Sequence, residues 1–242
     1  MIPYLLLTLA ALLGGGIASI AGFGIGSILT PSLAVQTGTK LAVAAVSIPH
    51  VCGTVLRLWV VRHRVNRHVV LNFGLASAAG GLAGALLHTW LQSAILGYLL
   101  GALLIFAAIM ELTGLAARLR FAGWSAWTAG GLSGLFGGLV GNQGGIRSAA
   151  MLGFDIPKES FVATATAIAL MVDAARVPVY AATQGRQVAG LWPVIGLMTA
   201  GVVVGTLLGW RLLRKIPSHI FRRVVAIIIL ALGIAMFLIP GR

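Results

Sequence analysis

The sequence predicts an all-α polytopic membrane protein made of two inverted-topology repeats, each a broken, re-entrant helix hairpin followed by three transmembrane helices. Three observations lead to this fold class. The 242-residue chain is 59% hydrophobic and only 9% charged, with a mean hydropathy of +1.03. Its two halves resemble each other at a spacing of 119 to 121 residues. Equivalent loops of the two halves carry opposite charge bias.

Hydrophobic runs take up nearly the whole chain. With so few charged residues, the protein has too little polar surface to coat a soluble globule of this length. A membrane-spanning helix needs roughly 20 mainly apolar residues. The runs that meet this description lie at 2–35, 41–61, 69–90, 93–114, 122–154, 160–181, 188–210 and 220–240. Because no basic segment precedes the first run, we expect it to be retained rather than cleaved as a signal peptide.

The net charge of +13 would suggest a nucleic-acid partner in a soluble protein, but here the cations lie at the ends of hydrophobic runs. Connections 62–68 and 211–223 are rich in arginine, which the positive-inside rule places in the cytoplasm. The bilayer is therefore the expected partner, and no nucleic acid is expected. All six tryptophans lie near the ends of runs and are predicted interface anchors: Trp59, Trp90, Trp124, Trp127, Trp192 and Trp210.

An internal repeat divides the chain into predicted units 1–115 and 122–242, joined by 116–121. The positions that align are mainly glycine, hydroxyl and arginine positions rather than merely apolar ones. They pair Gly22 with Gly141, Gly26 with Gly145, Ser47 with Thr166, Arg57 with Arg176, Gly80 with Gly201 and Gly84 with Gly205.

Charge bias predicts that the two repeats are inverted in the membrane. Connection 62–68 is rich in arginine, whereas its equivalent 182–187 contains only Arg186. Connection 90–93 has no charge, whereas its equivalent 211–223 has five basic residues. Inversion requires an odd number of crossings per repeat, so one run in each half must enter the membrane and return. The glycine-rich runs 2–35 and 122–154 are the candidates.

Two glycine-rich breaks are the predicted binding site. They are "AGFGIGSILTPSL" at 21–33 and "VGNQGGIRSAAML" at 140–152. Irregular backbone at membrane depth is tolerated where it is buried in protein or lines a watery cavity, so we expect the breaks to meet near the bilayer midplane. The alternative is that these glycines serve only close helix packing, which is the role we expect for Gly80–Gly84 and Gly201–Gly205.

An anion is the expected ligand, because a half-helix that starts after a break presents free N–H groups and the positive end of its dipole. Glycines leave space for the ligand, and neutral side chains such as Ser148 add hydrogen-bond donors. The predicted substrate-binding residues in the two breaks are Gly22, Phe23, Gly24, Gly26, Ser27, Thr30, Asn142, Gln143, Gly144, Gly145 and Arg147.

Charged residues inside hydrophobic runs are functional candidates, because they are costly to insert. Arg57 and Arg176 are repeat partners that either bind the anion or extend to the membrane interface. Asp173 lies three residues before Arg176, a spacing that predicts an ion pair. His50 and Asp173 are candidates for proton or ion coupling. The alternatives are a helix-to-helix hydrogen bond for His50 and a purely structural pair for Asp173.

Two long segments of the sequence resemble a known family. The segments "GGGIASIAGFGIGSILTPSL" and "GGLSGLFGGLVGNQGGIRSAAMLGF", each followed by a small-residue helix ("KLAVAAVSIP", "ESFVATATAIAL"), resemble the repeated signature of the TauE/SafE family. The resemblance covers essentially the whole chain. It implies a multi-pass carrier in the inner membrane of a bacterium or archaeon. Such carriers move small anions such as sulfite, sulfonates or sulfoacetate, driven by ion gradients or the membrane potential. A homodimer is left open.

Other classes of function are less well supported by the sequence. The four acids are scattered, and no nucleophile, zinc or ATP-binding motif is present, so we expect no enzyme, no cofactor and no metal. The one cysteine, Cys52, excludes disulfides. An anion-selective channel stays open, because two re-entrant hairpins can also form a selectivity filter. A membrane assembly factor without transport activity is the third alternative.

Overall fold

The structure, a computed structural model, describes residues 2–115, 123–151, 154, 156–212 and 218–238. Six of the helices in this part of the chain are long and apolar enough to cross a membrane. The protein is therefore a multi-pass helical membrane protein. The predicted linker 116–121 and the centre of the basic connection 211–223 lie outside the described residues.

The first half begins with two helices separated by a three-residue break. The helices are α1 (Ile2–Ala21), α2 (Ile25–Thr37), α3 (Thr39–Val61), the short α4 (Arg67–Val69), α5 (Leu75–Trp90) and α6 (Ser93–Leu112). A 3₁₀ turn at Arg62–Arg64 follows α3, and a π-helical turn at Val70–Gly74 joins α4 to α5.

The second half has the same order of elements. Its helices are α7 (Trp124–Val140), α8 (Gly144–Met151), α9 (Lys158–Ala189), α10 (Trp192–Leu212) and α11 (Ser218–Leu238). Again a three-residue break separates the first two helices, and three longer helices follow them.

The main pairs of packed helices correspond when the two halves are exchanged. Helix α1 packs along α10, and α7 packs along α5. Helices α3 and α9 pack against each other, as do α6 and α11. Exchanging the halves turns the α1–α10 pair into the α7–α5 pair and leaves the other two pairs unchanged.

Glycines allow close contact between α1 and α10. A Cβ atom on Gly205 would overlap the carbonyl oxygen of Leu12, and a Cβ atom on Gly201 would lie 2.7 Å from the Cβ of Ala11. The contacts advance in the same direction along both helices, so α1 and α10 are parallel.

The pair α5 and α7 is built in the same way. Cβ atoms on Gly80 and Gly84 would overlap the carbonyl oxygens of Gly131 and Leu135, respectively, so these helices are also parallel. The prediction that the Gly80–Gly84 and Gly201–Gly205 pairs serve helix packing is confirmed, because each of the four faces a neighbouring helix at close range.

Helices α3 and α9 are antiparallel. Polar contacts join His50 to Asp173 and, further along α3, Arg57 to Thr166, so one residue number rises while the other falls. Helices α6 and α11 are antiparallel for the same reason, since Gly97 contacts Met236 and Gly101 contacts Gly233.

The outer surface is apolar, as expected for lipid contact. Many large hydrophobic side chains are exposed along the helices. The tryptophans with described side chains are all exposed, and they include Trp90 and Trp124 at helix ends. Trp210 lies in α10, but its side chain is outside the described part.

We expect Gly205→Ala to lower the melting temperature of the protein in detergent, because the added methyl group would overlap the backbone of α1. Overpacking of this kind costs about 1–3 kcal/mol. Gly196→Ala, in the same helix, is the matched control, since nothing lies within 4 Å of the position that its added methyl group would take. Equal melting temperatures for the two variants would contradict the assigned packing.

Candidate functional site

The first break, Gly22 to Gly24, reverses the chain. Gly22 has a φ of +78° and Gly24 a φ of +139°, backbone conformations that favour glycine. The Cα of Ile25, at the start of α2, lies 3.4 Å from where a Cβ atom on Gly14 would be. Since Gly14 lies two turns before the end of α1, the break leads the chain back alongside α1.

The second break, Gly141 to Gln143, has a related geometry. Gly141 is left-handed, with a φ of +73°, and its N–H donates to the carbonyl of Gly137 at 3.1 Å. This is a common way for a helix to end at glycine. Helix α8 then starts at Gly144.

The structure brings the two breaks together. A Cβ atom on Gly26 would overlap the carbonyl oxygen of Gly141. The Ser27 hydroxyl donates to Oδ1 of Asn142 at 3.2 Å. Close approach at glycine and a side-chain hydrogen bond therefore join the beginning of α2 to the second break.

Arg147 in α8 makes a second link between the breaks. Its Nη2 donates to the carbonyl oxygen of Gly22 at 3.1 Å, and its side chain is buried. Phe23 lies against Gly144, so that a Cβ atom there would overlap the Phe23 side chain.

Space for a ligand directly beside Gly24 and Gly144 was expected, and the structure does not provide it. A Cβ atom on Gly24 would lie 2.7 Å from Cγ2 of Ile17. The corresponding space at Gly144 is filled by Phe23. At these two positions the glycines allow close packing and, at Gly24, a positive φ. Gly145 likewise faces a neighbouring side chain, that of Ala107.

Arg57 and Arg176 play equivalent parts at the two helix ends. Nη1 of Arg57 donates to the carbonyl of Ala18 at 2.9 Å, and Nη1 of Arg176 donates to the carbonyl of Gly137 at 2.8 Å. Each carbonyl lies four residues before the first glycine of its break. A cation at the C-terminal end of a helix is favourable, because the carbonyl groups there carry partial negative charge. Both arginines are 2% exposed, so neither extends to the membrane interface.

Asp173 joins two polar side chains, those of Arg176 and His50. It pairs with Arg176 through Nε at 2.9 Å and Nη2 at 2.8 Å, which confirms the predicted ion pair. Its other oxygen lies 2.7 Å from Nδ1 of His50. The expected helix-to-helix hydrogen bond of His50 is therefore present, and its partner is the carboxylate on α9. Arg57, for its part, donates through Nε to the Thr166 hydroxyl at 2.8 Å.

The buried charges do not balance in the described part of the chain. Arg57, Arg147 and Arg176 are buried cations, and Asp173 is the one buried carboxylate there. With His50 neutral, three positive charges and one negative charge leave an excess of two positive charges. Buried charges without counterions are costly, so this interior favours a negatively charged ligand.

Among the described residues, five of the six buried side-chain atoms without a hydrogen-bond partner belong to the second break and the two half-helices, and the sixth is the hydroxyl of Thr39. Nε2 and Oε1 of Gln143, Nε and Nη1 of Arg147 and the hydroxyl of Thr30 are buried and have no hydrogen-bond partner. Gln143 and Arg147 belong to the second break and its half-helix, and Thr30 belongs to the first half-helix. A buried polar group without a partner costs free energy, so these groups are suited to bind a polar ligand.

Three further polar residues near the end of α7 were not predicted from the sequence. His88 lies 2.7 Å from the carbonyl of Leu139 through Nδ1, and 3.1 Å from Nε2 of Gln184 through its own Nε2. The Tyr180 hydroxyl donates to the carbonyl of Gly138. His88, like His50, is an ionisable side chain inside a hydrophobic run, so the same criterion identifies it from the sequence as a functional candidate.

Comparison with known proteins gives one result. A family model described as sulfite exporter TauE/SafE matches residues 7–236. No curated protein and no solved structure matches the chain. The family match spans both breaks and all the long helices, and it agrees with the resemblance seen in the paired glycine segments. The chain therefore belongs to the TauE/SafE family of sulfite exporters.

Proposed function

We propose that the protein is a secondary carrier of small sulfur-containing anions, sulfite or a sulfonate, which bind between the two breaks. The family consists of membrane transporters, which supports transport of a small anion. The location of the proposed site is supported above all by the buried, unpartnered hydrogen-bond donors of Arg147 and Gln143 beside the second break. An anion with several oxygen atoms would accept hydrogen bonds from these donors.

Electrostatics support the same ligand class. Two half-helices, α2 and α8, begin at the breaks, and the N-terminal end of a helix carries partial positive charge. The surplus of buried guanidinium groups adds full charges. A bound anion would offset this surplus, whereas a cation or a neutral solute would leave it in place.

Within this site the arginines have different roles. Arg147 has two donor atoms without a partner, so it is the proposed direct ligand. Arg176 is paired with Asp173, and Arg57 is held by Ala18 and Thr166. These two position the helix ends, and Arg57 adds a positive charge with no carboxylate partner.

Helix directions support the inverted arrangement of the two halves. Helix α10 starts where α9 ends, and because α3 and α9 are antiparallel, that end is where α3 starts. Since α1 runs parallel to α10, α1 starts at the same end. Helix α5 starts where α3 ends, and α7 runs parallel to α5, so α7 starts at the opposite end from α1. Each of the pairs α1–α2 and α7–α8 then enters from one end and returns to it.

Alternating access is the proposed transport mechanism. The proposed site lies between halves that are related by exchange, with α3 and α9 in contact at the centre. A rocking movement of one half against the other would open the site first to one side of the membrane and then to the other.

Flux measurements test the proposal against its alternatives. In proteoliposomes, a carrier gives saturable uptake of sulfite with no single-channel currents, whereas an anion channel gives such currents. Absence of any flux under an imposed membrane potential would favour an assembly role and contradict transport.

The first prediction of this proposal concerns topology. Helices α3 and α10, which precede the basic connections in sequence, end at the same end of the helix bundle, and the charge bias places that end in the cytoplasm. The C-terminal residue Arg242 should therefore be periplasmic. We expect a phosphatase fused there to be active and a fluorescent protein that matures only in the cytoplasm to be dark. The reverse pattern would contradict the inverted arrangement.

The second prediction concerns the proposed ligand Arg147. We expect Arg147→Gln to weaken the binding of methanesulfonate about 10- to 100-fold, because hydrogen bonds to charged groups contribute about 1.5–3 kcal/mol. Binding is measured from the anion-induced rise in melting temperature. Arg186→Gln is the control, since it removes a cation at the end of α9, away from the breaks. If Arg147→Gln folds and binds the anion as tightly as the parent, Arg147 is not a ligand.

A further inference from the structure

The pair His50 and Asp173 links the two halves at the centre of the molecule. His50 is on α3 and Asp173 on α9, and their side chains approach to 2.7 Å. The Asp173 side chain is fully buried, whereas the His50 side chain is 11% exposed. His50 is therefore the member of the pair that water entering the interior can reach.

Hydrogen bonding fixes how this histidine can take up a proton. Asp173 accepts from Arg176 and is a carboxylate, so Nδ1 of His50 carries the hydrogen that is donated to it. Nε2 then has the free lone pair. A proton that binds to Nε2 gives an imidazolium that still donates to Asp173 through Nδ1.

The surroundings of His50 are mostly positive. Asp173 and Arg176 face His50 from α9. Arg57 lies two turns after His50 on α3, and its positive charge disfavours a second positive charge on His50. Helix α2, which packs on α3, contains no titratable residue, and the one charged residue of α10 is Arg211 near its far end. When the site is empty, protonation of His50 would raise the buried excess from two positive charges to three.

An anion in the proposed site would lower this excess. Its negative charge would lie beside Arg147, which donates to Gly22, and Arg57 donates to Ala18 one turn earlier in the same helix end. With a monoanion bound, the excess falls from two positive charges to one, and protonation of His50 brings it back to two instead of raising it to three. By linkage, a ligand that favours protonation is itself bound more tightly by the protonated form.

The two repeats differ at these positions. The 119-residue spacing that pairs Arg57 with Arg176 places Thr54 opposite Asp173, and it places Ala169 opposite His50. The pair therefore occurs once, not twice, in the described repeats. One titratable site accompanies one proposed anion site.

We propose that anion binding is coupled to the uptake of one proton by His50, which Asp173 holds in place. This inference rests on the proposed anion site and adds the coupling ion to it. Anion and proton bind in the same conformation, so they cross the membrane in the same direction.

The variant that tests this is His50→Asn. Its amide Nδ2 can replace Nδ1 as the donor to Asp173, but it cannot take up a proton. Asp173→Asn is less suitable, because it leaves Arg176 as a buried, unpaired charge. His88→Asn is the matched control, because His88 is also buried and bonded through Nδ1.

The measurement is the affinity of the full-length protein for methanesulfonate, which stays ionised throughout the pH range used. In the parent we expect affinity to fall as pH rises, by up to about tenfold per pH unit once His50 is neutral. Calorimetry in buffers of different ionisation enthalpy should show proton uptake approaching one per anion. His50→Asn should bind with no pH slope and no proton uptake, and His88→Asn should keep both.

Each other outcome contradicts part of the proposal. If the parent binds methanesulfonate without a pH slope, or if His50→Asn keeps the slope, the coupling is wrong while the anion site stands. If His88→Asn removes the slope as fully as His50→Asn does, the effect is not specific to His50 and the inference fails. If the parent binds neither methanesulfonate nor sulfite at any pH, the proposed function fails, and the coupling fails with it.

Discussion

A helix that ends inside an apolar environment leaves carbonyl groups without partners, and the rest of this structure depends on how that requirement is met. Arg57 and Arg176 donate to the carbonyls of Ala18 and Gly137, one turn before each break. These carbonyls also accept the N–H groups of Gly22 and Gly141, so each arginine adds a charged donor at the negative end of a helix. A buried guanidinium group therefore accompanies each break.

Those guanidinium groups set the electrostatics of the interior. Asp173 balances Arg176, but no carboxylate in the described residues balances Arg57. Arg147 adds a third cation where the breaks meet. The guanidinium groups that donate to the helix ends are thus also among the charges that would attract an anion. Buried cations beside both breaks would favour an anion bound between them.

Symmetry in the backbone is combined with asymmetry in the side chains. Apart from the short α4, the long helices and half-helices follow the same order in both halves, and their main packing pairs correspond. At positions 119 residues apart, however, the second break has Asn142 and Arg147 where the first half has Phe23 and Ile28. The reverse holds at two other positions, where the first half has Ser27 and Thr30 and the second half has Ile146 and Ala149. Each half therefore contributes its own polar side chains, and the proposed ligand Arg147 belongs to the second half.

Several features followed from the sequence alone because they depend on local patterns. Apolar length predicted the membrane helices, and paired glycines predicted where the first helix of each half would stop. The three-residue spacing of Asp173 and Arg176 predicted their ion pair, since such neighbours share a helix face. Family membership followed from the same glycine segments and is confirmed by the match over residues 7–236.

Contacts between distant parts of the chain were decided only by the tertiary structure. From their positions near helix ends, Arg57 and Arg176 could face either the protein interior or the membrane interface. Packing of α3 against α9 buried them and brought His50 to Asp173, 123 residues away. Open space was expected beside Gly144, yet Phe23 from the other half fills it. Glycine shows where a neighbour can approach, but only the packed structure determines which neighbour does so.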